Sequence, residues 1–191
     1  MSAKPVETGI ILAAGLSRRF GPENKLLAPW RGQPLVSYAI DAASKAALKN
    51  IILVTGQDGD AIAALANDAK IHRAHNPDFE KGLSSSLQVG LAAAPLGPVI
   101  VLLADMPMVG SPLINNLLRA WRDGVYALAP EYNGEAGNPV ILSPAARQDA
   151  KTLTGDQGAR GLFKGRTDFI RHPVANSAIL HDFDLSGDFS S

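Results

Sequence analysis

Short apolar runs alternate along the first part of the chain with segments whose apolar residues recur every three or four positions. The runs predict buried β-strands, and the recurring positions predict helices with one buried face. A helix between two successive strands is typical of a parallel sheet covered on both faces, so the pattern predicts an α/β fold. The predicted strands are 8–13, 50–55, 71–74 and 99–103, and the predicted helices are 34–47, 60–69, 83–94 and 112–122.

After residue 124 the pattern is less regular and predicts a mixed extension of the same sheet. The order of the strands is expected to reverse between the first and the fourth, which would place a ligand crevice at their carboxyl ends. The length of 191 residues, without an evident linker or repeat, predicts a single domain over residues 1–191. In this half we predict strands at 126–130, 139–142, 168–172 and 179–183 and a helix at 158–164.

Composition and charge exclude several classes of function. The 18 basic and 18 acidic side chains cancel, so the chain has no broad positive surface for nucleic acid or an anionic membrane. It contains no cysteine, which excludes disulfides and thiolate metal sites. The first apolar run, 10–14, is too short for an export signal, and we therefore expect a cytoplasmic protein.

The segment after the first predicted strand, 12–25, combines small residues with positive charge. Small residues at 13–15 allow the backbone to approach a ligand, and their N–H groups can point at phosphate oxygens. Arg18, Arg19 and Lys25 add the positive charge that a polyphosphate requires. The glycine spacing matches neither the dinucleotide-binding nor the P-loop pattern, and a simple glycine turn with solvated basic residues is the alternative interpretation.

A carboxylate, Asp105, follows the predicted strand 99–103. At the carboxyl edge of a parallel sheet this hard oxygen ligand could hold Mg²⁺ against phosphate groups. The alternative is an aspartate that caps the turn before the next helix. The four histidines lack the spacing of a zinc site, so they indicate no further metal.

Polar residues also precede the predicted helix 83–94. Ser84, Ser85 and Ser86 could present hydroxyl groups and free N–H groups to a phosphate or a ribose. Ordinary N-capping of the helix is the alternative, and it needs only one of these serines. Two more polar segments, 137–140 and 153–160, lie between apolar elements.

Three motifs together resemble the MobA-like NTP-transferase family. They are Leu-Ala-Ala-Gly-x-Ser-x-Arg-Phe-Gly-x-x-x-Lys at 12–25, Leu-x-x-Asp-Met-Pro at 102–107 and Gly-Asp-x-Gly-Ala-Arg at 155–160. The resemblance implies a three-layer Rossmann-like nucleotidyltransferase fold with a mostly parallel mixed sheet. Ala13-Ala14-Gly15 is similar to the cytidylyltransferase branch, which implies transfer of CMP from CTP to the phosphate of a molybdopterin-type cofactor with release of pyrophosphate. It also implies Mg²⁺ or Mn²⁺ as the cofactor.

The resemblance assigns roles residue by residue. Its late Asp-x-Asp motif corresponds to Asp182 and Asp184, of which Asp184 is the first choice for a second metal ligand beside Asp105. The catalytic residues would be Arg19, Lys25 and Asp105; the nucleotide-binding residues Leu12, Ala13, Ala14, Gly15, Leu16, Ser17, Lys25, Gly82, Ser84 and Ser85; and the acceptor-binding residues Asn138, Pro139, Asp156 and Arg160. Relatives often carry histidine at the position of Asn138.

Two other functions stay open at this point. The same fold could transfer a nucleotide to a sugar phosphate or a polyol phosphate. The chain could also be a non-catalytic protein that binds or delivers the cofactor to a molybdenum hydroxylase, or a family member recruited to redox work on a heterocycle. In the first interpretation, CTP and the molybdopterin-type cofactor are substrates, and a molybdenum hydroxylase would receive the product.

Overall fold

A computed structural model describes residues 4–16, 20, 23–163 and 165–183. The strands are β1 (Thr8–Ala13), β2 (Pro29–Trp30), β3 (Gln33–Pro34), β4 (Asn50–Thr55), β5 (Ile71–His75), β6 (Val99–Leu103), β7 (Ala127–Tyr132), β8 (Glu135–Ala136), β9 (Val140–Leu142) and β10 (Phe169–Pro173). The helices are α1 (Leu35–Lys45), α2 (Gly59–Ala63), α3 (Leu83–Ala93), α4 (Ser111–Ala120) and α5 (Pro144–Asp149). Single 3₁₀ turns lie at Phe79–Lys81, Ala150–Thr152, Ala159–Phe163 and Ser177–Leu180.

The main sheet contains eight strands in the order β10-β7-β9-β6-β1-β4-β5, with β8 paired to β7. β4, β1 and β6 are parallel neighbours, β5 is parallel to β4, and β10 is parallel to β7. β9 runs antiparallel between β6 and β7, so those two strands share one direction. The prediction of a mostly parallel, mixed α/β sheet is confirmed, and the strand order reverses at β1, between β4 and β6.

Both faces of the sheet are buried. On one face Ile11 packs with α1 and α4, and on the other Ile10 packs with α3 and α5; both isoleucines are fully buried. Strands covered on both faces are apolar at every position, which explains the unbroken apolar runs in the sequence. Each fully buried isoleucine contributes roughly 1.5–3 kcal/mol of transfer free energy.

The predicted elements hold best in the first part of the chain. β1, β4 and β6 have the bounds that the apolar runs predicted. The predicted strand at 179–183 is wrong, because Ser177–Leu180 is a 3₁₀ turn and its backbone bonds to a loop instead of a strand. The helix predicted at 60–69 ends at Ala63, and α5 was not predicted. Among the described residues, no helix is long and apolar enough to cross a bilayer.

Candidate active site

A cavity of about 700 Å³ lies at the carboxyl ends of β1 and β6, where the strand order reverses. We call it the main cavity. Its lining comes from β1 and the loop after it, from the turn that carries Lys25, from the start of α3 and from the end of β6. It is lined by Leu12, Ala14, Gly15, Leu16, Lys25, Leu26, Phe79, Glu80, Lys81, Gly82, Leu83, Ser86, Leu103, Asp105, Gly155, Asp156 and Asp182.

Lys25 and Asp105 meet in the main cavity. The ammonium group of Lys25 donates to Oδ2 of Asp105 at 2.8 Å, and the two side chains are 10% and 21% exposed. Burial raises the pKa of the Asp105 carboxyl, and the neighbouring Lys25 opposes that shift. A second cation would stabilise this half-buried carboxylate further. The structure thus brings Lys25 of the first motif and Asp105 of the second motif into one site.

The turn that holds Lys25 is built by Asn24. The side-chain oxygen of Asn24 accepts from the N–H of Leu26 at 3.0 Å, and its amide donates to Oδ2 of Asp58 at 3.2 Å. Leu26 is buried in the core beside Ala28. The lysine is therefore fixed by a side-chain-to-backbone turn and by an apolar anchor directly after it.

The segment near the C-terminus adds a second carboxylate, Asp182, to the main cavity. The N–H of Phe183 donates to the backbone oxygen of Asp105 at 2.9 Å, and the Phe183 ring packs against Trp30 with centroids 5.2 Å apart. After burial and Lys25, the charge of Asp182 is a further influence on Asp105, and it also raises the pKa of that carboxyl. Asp105 and Asp182 therefore both line the main cavity, together with Glu80 and Asp156.

Asp184, the first choice for a second metal ligand, lies outside the described residues, as do Ser17 and Arg19. Their assignments stay predictions. Within the described ranges, no group of three or more histidine, aspartate and glutamate side chains is assembled as a metal site. Four acidic residues of the described ranges line the main cavity, and among them Asp182 is the one whose charge acts on Asp105.

The loop after β1 leaves open space beside the cavity. Leu12, Ala14, Gly15 and Leu16 line it, whereas Ala13 is buried in the core on the opposite face. A Cβ atom built on Gly15 would meet no atom of the described residues within 4 Å, so these residues leave space at this position. Because glycine has no side chain, a ligand in the cavity can approach the backbone closely at this position.

Gly82 joins the start of α3 to a later loop. Its φ is +98°, and a Cβ there would lie 2.5 Å from the backbone carbon of Gly155. The N–H of Ser84 donates to the backbone oxygen of the same Gly155 at 3.0 Å. Only glycine allows this contact, which fixes the 155–160 loop against the main cavity.

The serines at the start of α3 have separate environments. Ser86 lines the main cavity, and Ser84 is buried. The hydroxyl of Ser85 is within bonding distance of the carbonyl oxygens of Gly82 and Asp78, and it accepts from Asn76. The roles of Ser84 and Ser85 in nucleotide binding stay predictions. Ser86 was not chosen as a nucleotide-binding residue from the sequence, yet it is the serine that lines the main cavity.

Asn76 is a functional candidate to which the sequence analysis assigned no specific role. It is 1% exposed, and its amide donates to the hydroxyl oxygens of Ser85 and Ser86 at 2.9 and 3.0 Å. Its side-chain oxygen accepts from the N–H of Asp78 at 3.0 Å. The signal in the sequence was an asparagine directly after a strand and before a proline, a position that favours side-chain-to-backbone bonding. Asn76 therefore positions the helix start that borders the cavity.

Replacing Asn76 by alanine should lower stability and weaken nucleotide binding together. Buried hydroxyl and N–H groups would lose their partners, at a cost of about 1–3 kcal/mol. We expect a lower melting temperature and a KM for the nucleotide that rises several-fold, measured by thermal unfolding and steady-state kinetics. Asn115→Ala is the matched control. The side-chain oxygen of Asn115 also accepts a backbone hydrogen bond, from the N–H of Ala47, but Asn115 does not line the main cavity. An equal rise in KM in that control would contradict a positioning role for Asn76.

A second cavity of about 500 Å³ continues from the main cavity. Leu12, Leu83, Leu103 and Asp156 line both, so the two cavities adjoin each other. We call this space the acceptor cavity. Two of the predicted acceptor-binding residues besides Asp156 line it, namely Asn138 and Arg160, whereas the fourth, Pro139, does not and is joined to Asn138 by a cis peptide bond.

Two contacts position the acceptor cavity. The guanidinium of Arg160 donates to the backbone oxygen of Ala136 at 3.0 Å, and it forms no ion pair with Asp156. The N–H of Asn138 donates to the backbone oxygen of Ile179 at 2.9 Å, and Gly137 lies directly against that carbonyl. The loop that borders the acceptor cavity is therefore tied to the segment that carries Asp182.

Comparison with known proteins identifies the family. Residues 9–173 match the sequence profile described as MobA-like NTP transferase domain. The chain belongs to the MobA-like NTP transferase family. It is a nucleotidyltransferase of the MobA-like type, and the resemblance that the three motifs indicated is confirmed.

The names of two similar proteins state different activities. Over 182 residues the chain is 30% identical to molybdenum cofactor cytidylyltransferase of Escherichia coli strain K12, covering 94% of this chain and 92% of the relative. Over 164 residues it is 31% identical to nicotine blue oxidoreductase of Paenarthrobacter nicotinovorans, covering 82% and 80%. Family membership thus leaves the reaction of this chain to be tested.

Solved structures confirm the Rossmann-like nucleotidyltransferase fold. The crystal structure of Rv0371c from Mycobacterium tuberculosis H37Rv superposes with a TM-score of 0.83 at 26% identity, covering 100% of this chain and 97% of that one. A structure of the same protein in complex with manganese superposes with a TM-score of 0.72 at 23% identity, covering 90% and 89%.

Proposed function

We propose that this protein transfers CMP from CTP to the phosphate of a molybdopterin-type cofactor and releases pyrophosphate. The observation that carries the proposal is the Lys25–Asp105 pair, with Asp182 in the same cavity, next to the acceptor cavity. A triphosphate in the main cavity would meet a fixed cation, and an acceptor in the adjoining cavity would lie beside it. The 30% identity to a molybdenum cofactor cytidylyltransferase supports this acceptor.

Mg²⁺ or Mn²⁺ is proposed as the metal cofactor. The residues fit a hard cation, because Asp105 and Asp182 offer carboxylate oxygens in a cavity that phosphate oxygens could complete. Burial raises the pKa of Asp105 and Lys25 opposes that shift, so a divalent cation beside the carboxyl would further favour its ionised form. When bound, such an ion neutralises phosphate charge and orients the leaving group.

The transfer needs no covalent intermediate on the protein. An oxygen of the acceptor phosphate forms a bond to the α-phosphorus of CTP while the bond from that phosphorus to the β-phosphate oxygen breaks. Pyrophosphate takes the electron pair of the broken bond. The attacking phosphate is already ionised at neutral pH, so Lys25 and the loop after β1 act by positioning and by charge stabilisation.

Ala14 supports a pyrimidine nucleotide. It lies in the wall of the main cavity and is buried against the cluster on the α3 face. Its methyl group occupies space that a glycine at the same position would leave open. We infer that the narrower wall favours cytosine over guanine, and that a larger purine would fit after substitution of Ala14 by glycine.

The test is a transfer assay with α-labelled CTP, phosphorylated acceptors and Mg²⁺ or Mn²⁺. We expect label transfer to molybdopterin-type cofactor, equimolar pyrophosphate release, and at least tenfold lower rates with GTP, ATP and UTP. Sugar and polyol phosphates test the alternative acceptor directly. Absence of label transfer with every phosphorylated acceptor and either metal would overturn the proposed function.

Redox conversion of a heterocyclic substrate has one observation in its favour, the 31% identity to a relative named nicotine blue oxidoreductase. Delivery of the cofactor is the other alternative. A non-catalytic member would bind the finished cofactor and pass it to a molybdenum hydroxylase. The same assay separates the two candidates, because a delivery protein would bind the cytosine dinucleotide product without releasing pyrophosphate from CTP. A member with redox activity would instead convert a heterocyclic substrate in the absence of CTP.

A further inference from the structure

A third cavity of about 700 Å³ lies beyond the acceptor cavity, over the sheet edge formed by β7 and β10. We call it the arginine cavity, because three of its lining residues are arginines. It is lined by Ala136, Arg160, Phe163, Gly165, Arg166, Phe169 and Arg171. None of the sequence motifs accounted for Arg166, Arg171 or the two phenylalanines.

The arginine cavity is continuous with the site already described. Arg160 lines both it and the acceptor cavity. The sheet forms a common floor: Leu12 of β1 and Val140 of β9 lie under the acceptor cavity, and Phe169 of β10 lies under the arginine cavity. These residues belong to the core cluster on the α3 face, or pack against it, so all the floor residues share one face. One trough therefore crosses the sheet from the nucleotide side to its edge.

The arginine cavity is positively charged, because no acidic residue of the described ranges lines it, whereas Asp156 lines the acceptor cavity. Arg166 donates through two nitrogens to Asp168 at 2.8 Å, and Arg171 donates to Glu131 at 3.4 Å; neither acid lines the cavity. Among the described residues, no carboxylate pairs with Arg160, whose guanidinium donates to the neutral carbonyl of Ala136. Arg166 is held by Asp168, Asp149 and the Tyr126 ring. Arg160 and Arg171 keep N–H donors for a ligand, since a guanidinium carries five and each uses only a few of them.

Two aromatic rings lie beside these arginines in the wall of the arginine cavity. The rings of Phe163 and Phe169 are stacked with centroids 4.3 Å apart and an interplanar angle of 18°. The guanidinium of Arg171 lies 5.9 Å from the Phe169 ring centroid. Phe163 is buried, and Phe169 is half-buried in the cavity wall. Guanidinium and aromatic planes together favour a flat ligand with negative charge.

We propose that the arginine cavity binds a second anionic group of the acceptor, carried beside a flat ring system at the end remote from the phosphate that receives the nucleotide. This inference rests on the proposed function for the direction of the acceptor in the trough. β6 and β10 are three strand spacings apart in the sheet order, which corresponds to about 14 Å. The acceptor is thus an extended molecule with two separated anionic ends.

The first test measures binding without turnover. Pyranine, a flat aromatic trisulfonate, serves as the probe, and its fluorescence anisotropy is titrated with the full-length protein in the presence of saturating CTP without metal. We expect Arg171→Gln to raise the dissociation constant roughly tenfold, because a hydrogen bond to a charged group is lost. Arg119→Gln, an exposed arginine on α4, is the matched control and should leave the constant unchanged.

Two further variants separate this proposal from the proposed function. Lys25→Met should leave pyranine binding unchanged, because Lys25 lies in the main cavity. Binding that depends on Lys25 and not on Arg171 would overturn the inference, while transfer of CMP could still occur. Failure of the transfer assay together with Arg171-dependent binding would instead overturn the proposed reaction and keep the anion site. Thermal unfolding of Arg171→Gln verifies the fold, and Arg171→Lys should restore part of the affinity.

Discussion

Asp105→Asn is expected to lower the rate of CMP transfer by about 10²–10³-fold while the protein stays folded. The change replaces a buried carboxylate in the main cavity by a neutral amide of the same shape, which removes the oxygen anion available to a divalent metal. The rate is measured as pyrophosphate release at saturating CTP, and folding as the melting temperature. The amide keeps the shape of the side chain but removes its ion pair with Lys25, so the melting temperature is expected to fall while the protein still folds.

Two comparison variants make the Asp105 result specific. Asp182→Asn should raise the metal concentration needed for half-maximal rate, with a smaller loss of maximal rate, because Asp182 is more exposed than Asp105. Asp41→Asn removes a carboxylate of an exposed pair with Lys45 and should leave the rate unchanged. If Asp105→Asn retains the normal rate, Asp105 has no part in binding the metal.

Gly137→Ala is expected to reduce stability by roughly 1–3 kcal/mol, as for other overpacked sites, and transfer by more than tenfold. A Cβ at this position would lie 2.2 Å from the backbone oxygen of Ile179, and backbone cannot rotate away as a flexible side chain can. The displaced segment carries Asp182, and the bond between Asn138 and Ile179 would be lost with it. Chemical denaturation and the transfer assay measure the two effects.

Gly110→Ala is the control for this steric effect. A Cβ at Gly110 would lie 3.4 Å from Pro112, an ordinary contact, and its backbone has a φ of −92° that alanine adopts easily. We expect less than 1 kcal/mol of destabilisation and an unchanged transfer rate. Normal activity in Gly137→Ala would show that the C-terminal segment reaches the cavity by another arrangement of the backbone.

The sequence predicted best the strands that are buried on both faces, because burial on both faces makes a strand a continuous apolar run. β1, β4 and β6 lie in the middle of the sheet, so every position in them is covered and the run ends where the cover ends. The segment 179–183 shows the limit of this signal. Ile179 and Phe183 are buried, but by contact with a loop and with Trp30 rather than in a strand.

The site was predictable to the extent that its residues follow strands or belong to a contiguous motif. Lys25 and Asp105 are 80 residues apart, yet both lie near the carboxyl edge of neighbouring strands, where the topology brings them together. Asn76 acts through bonds to hydroxyl groups nine and ten residues later, which no local pattern shows. The arginine cavity depends on the pairing of β10 with β7 at the sheet edge, and this pairing is a tertiary contact without a motif.

The hydrogen bond from the N–H of Ser84 to the backbone oxygen of Gly155 couples the binding of the two substrates. It fastens the loop beside the acceptor to the helix start beside the nucleotide, so neither loop can be ordered without constraining the other. The substrate that binds first would order both loops. The second substrate would then lose less free energy to ordering them. By thermodynamic reciprocity, each substrate would then tighten the other's equilibrium affinity by the same factor, and the two substrates would behave as mutual activators of binding.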